Sequence, residues 1–274
     1  MKILLSIATI FTFALGFYTT QTIAAPLENP KSFTDWCQQK STLPPQTKHT
    51  VEVLLKIAQT QNCKQANQKL TNLTFLDLNS NQISDIKPLS ALTNLTSLSL
   101  RSNQISDIKP LSTLTNLTDL LLHSNQISNI KPLSTLTNLI VLDLGSNNIS
   151  EIQLLSNLTN LTILSLNLNQ ISDIKSLSTL TNLTFLDLGS NKISDIKPLY
   201  TLNNLTILSL NLNQISDIKS LSTLTNLTFL DLGSNKISEI KPLYTLKKLK
   251  IFKAINNPIA SKICPVKPES ICNF

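Results

Sequence analysis

Carboxylates recur at one place in a repeated strand pattern, at Asp77, Asp143, Asp187 and Asp231, and their spacing is the feature of this chain that most invites chemistry. A pair of acids flanking a glycosidic bond is the minimum set for its hydrolysis. Asp143 and Asp187 stand two repeats apart, about 9.6 Å if neighbouring strands are spaced as in an ordinary sheet. That lies near the upper limit for an inverting pair. An open sheet, however, has no evident means of raising the pKa of one acid by burial. The same gap is too wide for one calcium ion, whose oxygen ligands stand about 2.3–2.6 Å away. His49 and His123 are solitary, no Ser/His/Asp grouping is visible, and no glycine-rich loop is present to cradle a phosphate. Cys37, Cys63, Cys264 and Cys272 lack Cys-x-x-Cys spacing and have only His49 as a nearby further ligand, which favours disulfides over zinc. The reading is a non-catalytic protein with no cofactor and no metal.

The strands that must position these acids belong to a repeat. Leu202–Thr245 copies Leu158–Thr201 with only Thr159/Asn203 and Asp195/Glu239 differing. Each copy splits into two 22-residue units on the frame LxxLxLxxNxISxIxxLxxL, and coils begin at Leu70, Leu92, Leu114, Leu136, Leu158, Leu180, Leu202 and Leu224, with a degenerate ninth from Leu246. A fixed period of this length marks a solenoid in which each unit touches only its neighbours. In the coil from Leu92, residues Leu92, Leu95, Leu98, Leu100, Ile105, Ile108 and Leu111 point inward. Burying seven such side chains yields roughly 10–20 kcal/mol, no more than the cost of ordering 22 backbone units. One coil cannot fold alone. Stacking lets the short strand of each coil pair with the next, giving a parallel sheet on one side. The asparagine column Asn81, Asn103, Asn125, Asn147, Asn169, Asn191, Asn213, Asn235 and Asn257 falls where each strand turns inward, and its amides can satisfy the buried turn backbone. On the far side, SDIKPL suits a short 3₁₀ or single-turn helix. Because helical segments need more width than strands, the stack curves with the sheet on its concave side. Ser176 and Ser220 in place of proline, and Gln153 and Leu154 in place of Lys-Pro, read as tolerated convex variation.

The ends differ from the repeats. Residues 1–24 read as a signal peptide with cleavage after Ala24; an uncleaved anchor is disfavoured because the apolar run is shorter than the roughly 20 residues a spanning helix needs. No later segment is apolar enough to span a bilayer, so the expected location is secreted or periplasmic. Residues 25–69 form an amino-terminal cap with a helix from about Thr47 to Gln59, burying Val51, Leu54, Leu55 and Ala58. Residues 70–257 are the coils, and 258–274 a closing cap. Nine stacked coils hold the two ends roughly 40 Å apart, so Cys37 pairs with Cys63 and Cys264 with Cys272.

The net charge of +7 does not mark a nucleic-acid binder. Lys87, Lys109, Lys175, Lys197, Lys219 and Lys241 each follow an acid by two residues, the pattern of a solvated convex face. A surplus of lysines, from Lys247 to Lys267, sits at the carboxyl end, where it serves a soluble cap or touches an anionic surface or polysaccharide.

The frame LTNLTxLxLxxNQISDIKPLSxL resembles the 22-residue leucine-rich repeats of bacterial internalins over about Leu70 to Pro258, and the cysteine-bearing ends resemble those of small exported internalin-like proteins. Intracellular phosphatase-regulating proteins share the repeat class, but the signal peptide and disulfides argue against that home. The resemblance implies an α/β solenoid, a right-handed leucine-rich-repeat horseshoe with a parallel concave sheet. It also implies a protein partner on that face. Carried onto matching positions, the partner-binding residues are Phe75, Asp119, Val141, Ile163, Phe185, Ile207 and Phe229 in the first exposed column, Asp77, Asp143, Asp187 and Asp231 in the second, and Arg101 and His123 in the third. From Val141 to Ile251 the first column is apolar without interruption, enough to exceed the few hundred Å² that monomers usually expose. Strand propensity alone also suits these residue types. The alternative to a protein partner is a structural or surface-associating role against wall polysaccharide or another extended lattice.

Overall fold

The computed structural model describes residues 31–274; the signal-peptide reading of 1–24 and the start of the cap lie outside the described residues. The chain opens with three helices, α1 (Phe33–Gln38), α2 (Pro45–Ala58) and α3 (Cys63–Thr71). In α1, Ser32 and Asp35 form a reciprocal capping box. The hydrogen bond with the Ser32 side chain is the largest influence on the Asp35 carboxyl and, helped by the Ser32 and Lys31 backbone N–H groups, holds it below its usual range against the opposing effect of burial. A lowered carboxylate contributes stability above its unfolded pKa, so this cap loosens as pH falls through the folded value.

Helix α2 is the one expected from Thr47 to Gln59. It begins two residues earlier because Pro45 occupies the first turn, where its missing N–H costs nothing. It ends at Ala58 because Gln59 adopts the left-handed conformation at φ 52°. Val51, Leu54, Leu55 and Ala58 are buried. Two features depart from expectation. The cap holds three helices, and the last of them absorbs Leu70, the residue that the repeat frame makes the start of the first coil. Asn62 caps α3 by accepting from the Gln65 N–H at 3.1 Å. The Cys37–Cys63 bridge therefore joins α1 to α3 and does not tie α2 directly. Closing a loop of this size contributes about 3 kcal/mol. Helix α2 is held against the first coil by Thr50, whose hydroxyl donates to the Asp85 carbonyl at 2.6 Å, and by the His49 Nε2 contact with the Asn81 carbonyl at 2.7 Å.

The coils contribute strands β1 (Phe75–Asp77), β2 (Ser97–Ser99), β3 (Asp119–Leu121), β4 (Val141–Asp143), β5 (Ile163–Ser165), β6 (Phe185–Asp187), β7 (Ile207–Ser209), β8 (Phe229–Asp231) and β9 (Ile251–Lys253). They form one parallel sheet in chain order, and a tenth strand, β10 (Cys272–Asn273), pairs beyond β9. That last strand is not legible in the repeat frame. It begins at Cys272 of the Cys264–Cys272 bridge, and Phe274 just beyond it packs edge-on to Phe252 at 5.8 Å. The exposed sheet edge is thereby reduced to two residues, too short a template for another chain.

Each convex turn is a 3₁₀ segment of five residues, such as Lys109–Thr113. The acids that precede the convex lysines are structural. Asp107 accepts from the Lys109 N–H at 2.8 Å, and Asp173, Asp195 and Asp217 do the same for Lys175, Lys197 and Lys219. Only Asp85–Lys87 and Asp173–Lys175 also approach as ion pairs, at 3.6 and 3.7 Å, and exposed pairs of this kind contribute little. Ser176 and Ser220 have a specific role where proline is absent. Their hydroxyls donate to the Ile152 and Ile196 carbonyls of the preceding coil at 2.9 and 3.0 Å.

The core is a single column made mostly of Leu and Ile, each coil from the second to the eighth burying the same set; in the fifth coil it is Leu158, Leu161, Leu164, Leu166, Ile171, Ile174 and Leu177. Along one edge of this column runs the asparagine ladder. Asn169 Nδ2 reaches the carbonyls of Leu144, Leu166 and Asn167 at 3.0–3.2 Å while its Oδ1 accepts from the Ile149 N–H at 2.9 Å. The pattern recurs from Asn103 to Asn257, and Asn81, which has no coil before it, bonds only the Asn79 carbonyl through its amide. A second ladder runs on the exposed flank, where Asn94, Asn116, Asn138, Asn160, Asn182 and Asn204 each donate to a carbonyl 23 residues back.

Candidate protein-binding face

Parallel pairing in strict register brings the first concave column together as one row. Val141 pairs with Ile163, Ile163 with Phe185, Phe185 with Ile207, Ile207 with Phe229 and Phe229 with Ile251. Every one of these side chains is at least partly open to solvent, since alternate residues of each strand face away from the core. Phe75 stands apart at the amino end and is the most exposed of the column, at 60%. Asp119 interrupts the row between them, with its carboxylate accepting from Thr118 at 2.7 Å.

The second column holds the acids, but they are not equivalent. Asp143 is engaged by Arg101, two coils away, at 2.9 Å, and lies 3.8 Å from His123 Nδ1. Three residues that share no coil thus form one polar cluster, built on the Arg101–Asp143 ion pair, at the amino-terminal end of the apolar row. Asp187 and Asp231 each accept one backbone N–H, from Gly189 and Gly233 at 3.0 Å, and have no salt-bridge partner among the described residues. Asp77 accepts from the Asn79 N–H at 2.9 Å. Ser99, which alternation places in this exposed column, is buried. Its hydroxyl donates to Asn79 Oδ1 at 2.6 Å, and the Arg101 N–H donates to the same atom. At the carboxyl end, Lys253 places its ammonium 5.6 Å above the Phe229 ring.

Glycines shape the rim beside this face. A Cβ on Gly189 would collide with Asn211 Oδ1, which lies over it, and one on Gly145 with Asn167 Oδ1 and His123 Nδ1. Gly233 has no such cover: its Cβ would meet Asp231 Oδ1 at 3.2 Å as its nearest neighbour, with the Ile255 carbonyl and Asn211 Cβ at ordinary contact distances of 3.6 and 4.0 Å. Gly189→Ala is therefore expected to displace Asn211 and lower the thermal midpoint by several degrees, whereas Gly233→Ala shifts it by no more than about 1 °C. Equal shifts in a melting experiment would contradict this arrangement.

Two residues of the rim are invisible to a reading of strand columns. Leu168 and Leu212 are half exposed, at 51% and 53%, and sit at φ 54° and 56°. The left-handed region is disfavoured for a bulky side chain. The equivalent position is Ser80, Ser102, Ser124, Ser146, Ser190, Ser234 and Asn256 in the other coils. The departure from serine at 168 and 212 was the available signal.

Among the described residues no group of three or more His, Cys, Asp or Glu side chains is placed to hold a metal ion, and no helix is long and apolar enough to cross a membrane. What the face offers is an apolar row with charged and polar flanks.

A family model for paired leucine-rich repeats matches overlapping segments from residue 71 to residue 245, the first at 71–113 and the last at 203–245. Internalin C2 of Listeria monocytogenes is 35% identical, with a TM-score of 0.69, covering 73% of this chain and 90% of its own. The chain belongs to the internalin-type leucine-rich-repeat proteins. Another member, internalin F of the same organism, is 33% identical over 81% of both chains with a TM-score of 0.62. The Leptospira interrogans leucine-rich-repeat protein LIC12759 is 34% identical, covering 70% of this chain and 51% of its own, with a TM-score of 0.67. No curated protein sequence matches the chain. Internalin-type repeats are in general protein-interaction modules of the horseshoe fold seen here, and typically non-catalytic.

Proposed function

We propose that this internalin-type protein is an exported, non-catalytic module that binds a protein partner on its concave sheet, with strands β5 to β8 at the centre. The observation that carries this reading is the unbroken row from Val141 to Ile251. A row of aliphatic and aromatic residues that stays in register across six strands lies outside the buried core and is at least partly open to a partner. Its flanking acids supply the polar rim that interfaces place around an apolar centre. Phe185, Ile207 and Phe229 are the anchors, since large side chains near the middle of an interface carry most of its energy. The two disulfides support export, because such bonds persist in oxidising compartments. Residues 25–69 and 258–274 act as caps that close the ends of the solenoid core. A photo-crosslinking residue placed at Ile207 is expected to trap the partner, whereas one placed at the convex Ser222 is not. Trapping from Ser222 alone would refute the concave assignment.

A further inference from the structure

The concave site is built twice, and the duplication has a length. Phe185, Asp187 and Leu168 recur as Phe229, Asp231 and Leu212, displaced by two strands along one continuous sheet. Two strand spacings amount to about 9.6 Å. A ligand that meets both copies alike must present the same face again after that distance.

Regular polypeptide conformations differ sharply on this criterion. In a polyproline II helix, three residues complete one turn and rise about 9.3 Å, so residues i and i+3 face the same way at nearly the required interval. Three residues of a β-strand reach about 10 Å but turn i+3 to the opposite face. Two turns of an α-helix advance about 10.8 Å and run ahead of the sheet by about 1 Å for every pair of strands.

The chemistry of the repeated unit is consistent with this geometry. Phe185 and Phe229 are half-buried aromatic side chains, the kind of surface on which polyproline II segments dock, and the Lys253 ammonium, 5.6 Å from the Phe229 centroid, marks the carboxyl-terminal limit of the second copy. Asp187 and Asp231 have one oxygen each on a glycine N–H and no ion-pair partner among the described residues, so each can meet a cation. Asp143, by contrast, is already engaged by Arg101. Leu168 and Leu212 hold half-exposed apolar side chains on backbone that disfavours them.

Building on the concave-face reading, we propose that the partner is engaged through an extended polyproline II segment lying along the sheet axis across β5 to β8. An apolar residue recurs at every third position of that segment to face the phenylalanines, and a basic residue recurs at the same interval to face Asp187 and Asp231.

The test uses the full chain and two fluorescent peptides of identical composition, (Pro-Leu-Lys)5 and a version in which Leu and Lys are shuffled out of the three-residue register, compared by fluorescence anisotropy at fixed salt. The register peptide is expected to bind at least tenfold more tightly. Asp187→Asn with Asp231→Asn should remove most of that advantage. Leu168→Ser with Leu212→Ser, which installs the residue found in most other coils and so keeps the fold, should weaken binding at least threefold. Equal affinity for the two peptides, no binding of either, or register-dependent binding that ignores both double variants would overturn the inference. The crosslink from Ile207 separates the two levels: a trapped partner with no peptide preference leaves the concave-face reading standing and removes this one, and no trapped partner removes both.

Discussion

Asn169→Ala is expected to destabilise the fold by about 3 kcal/mol, because it strips several buried backbone groups of their partners at once. The amide bridges carbonyls of two successive coils, at Leu144 and Leu166, and its oxygen satisfies the Ile149 N–H. No nearby side chain replaces those bonds, and the site is only 9% exposed, so water reaches it poorly. The comparison is Asn182→Ala on the exposed flank, where one bond to the Thr159 carbonyl at 2.9 Å is lost and solvent takes its place. That change should cost less than about 1 kcal/mol. Urea denaturation of the two variants beside the parent decides the matter, and the Asn169 variant should also show a broader transition, because a mid-array defect in a repeat protein uncouples the halves. Similar losses in both variants would mean that the ladder at the core edge holds no more than the one on the surface.

The second large effect concerns binding. Phe185→Asp with Phe229→Asp should weaken partner affinity by at least a factor of about 100, the loss expected when two central anchors are each replaced by a charge that must be desolvated. The same variant should keep the circular dichroism of the parent and a stability within about 1 kcal/mol, since both side chains face away from the core column. Loss of binding together with loss of structure would instead make the phenylalanines part of the fold.

Much of the architecture was legible because the repeat states it nine times. The inward Leu and Ile positions, the strand columns and their register all follow from one period, so an error at one coil would be contradicted by the next. The caps were less legible because they occur once. Helix α3 has two buried positions, Ala66 and Leu70, too few to show a helical face, and β10 is only two residues long. The concave face was legible as columns and not as contacts. Arg101 meets Asp143 across two coils, which requires the sheet spacing as well as the sequence, and Ser99 disappears beneath Asn79 although alternation points it outward. The left-handed turn residues Leu168 and Leu212 lie just past the strands, where a period-two reading has already stopped.

Binding of the partner on the concave sheet has a direct experimental signature. It is tested most directly by affinity capture from a single extract with three forms of the chain: the parent, the concave variant Phe185→Asp with Phe229→Asp, and a convex variant, Tyr200→Asp with Tyr244→Asp, in which two exposed tyrosines of the opposite face are changed. One species is expected to be retained by the parent and the convex variant and to be absent from the concave variant. A species that survives the concave changes and is lost with the tyrosines would place the binding face on the convex side and contradict the concave assignment.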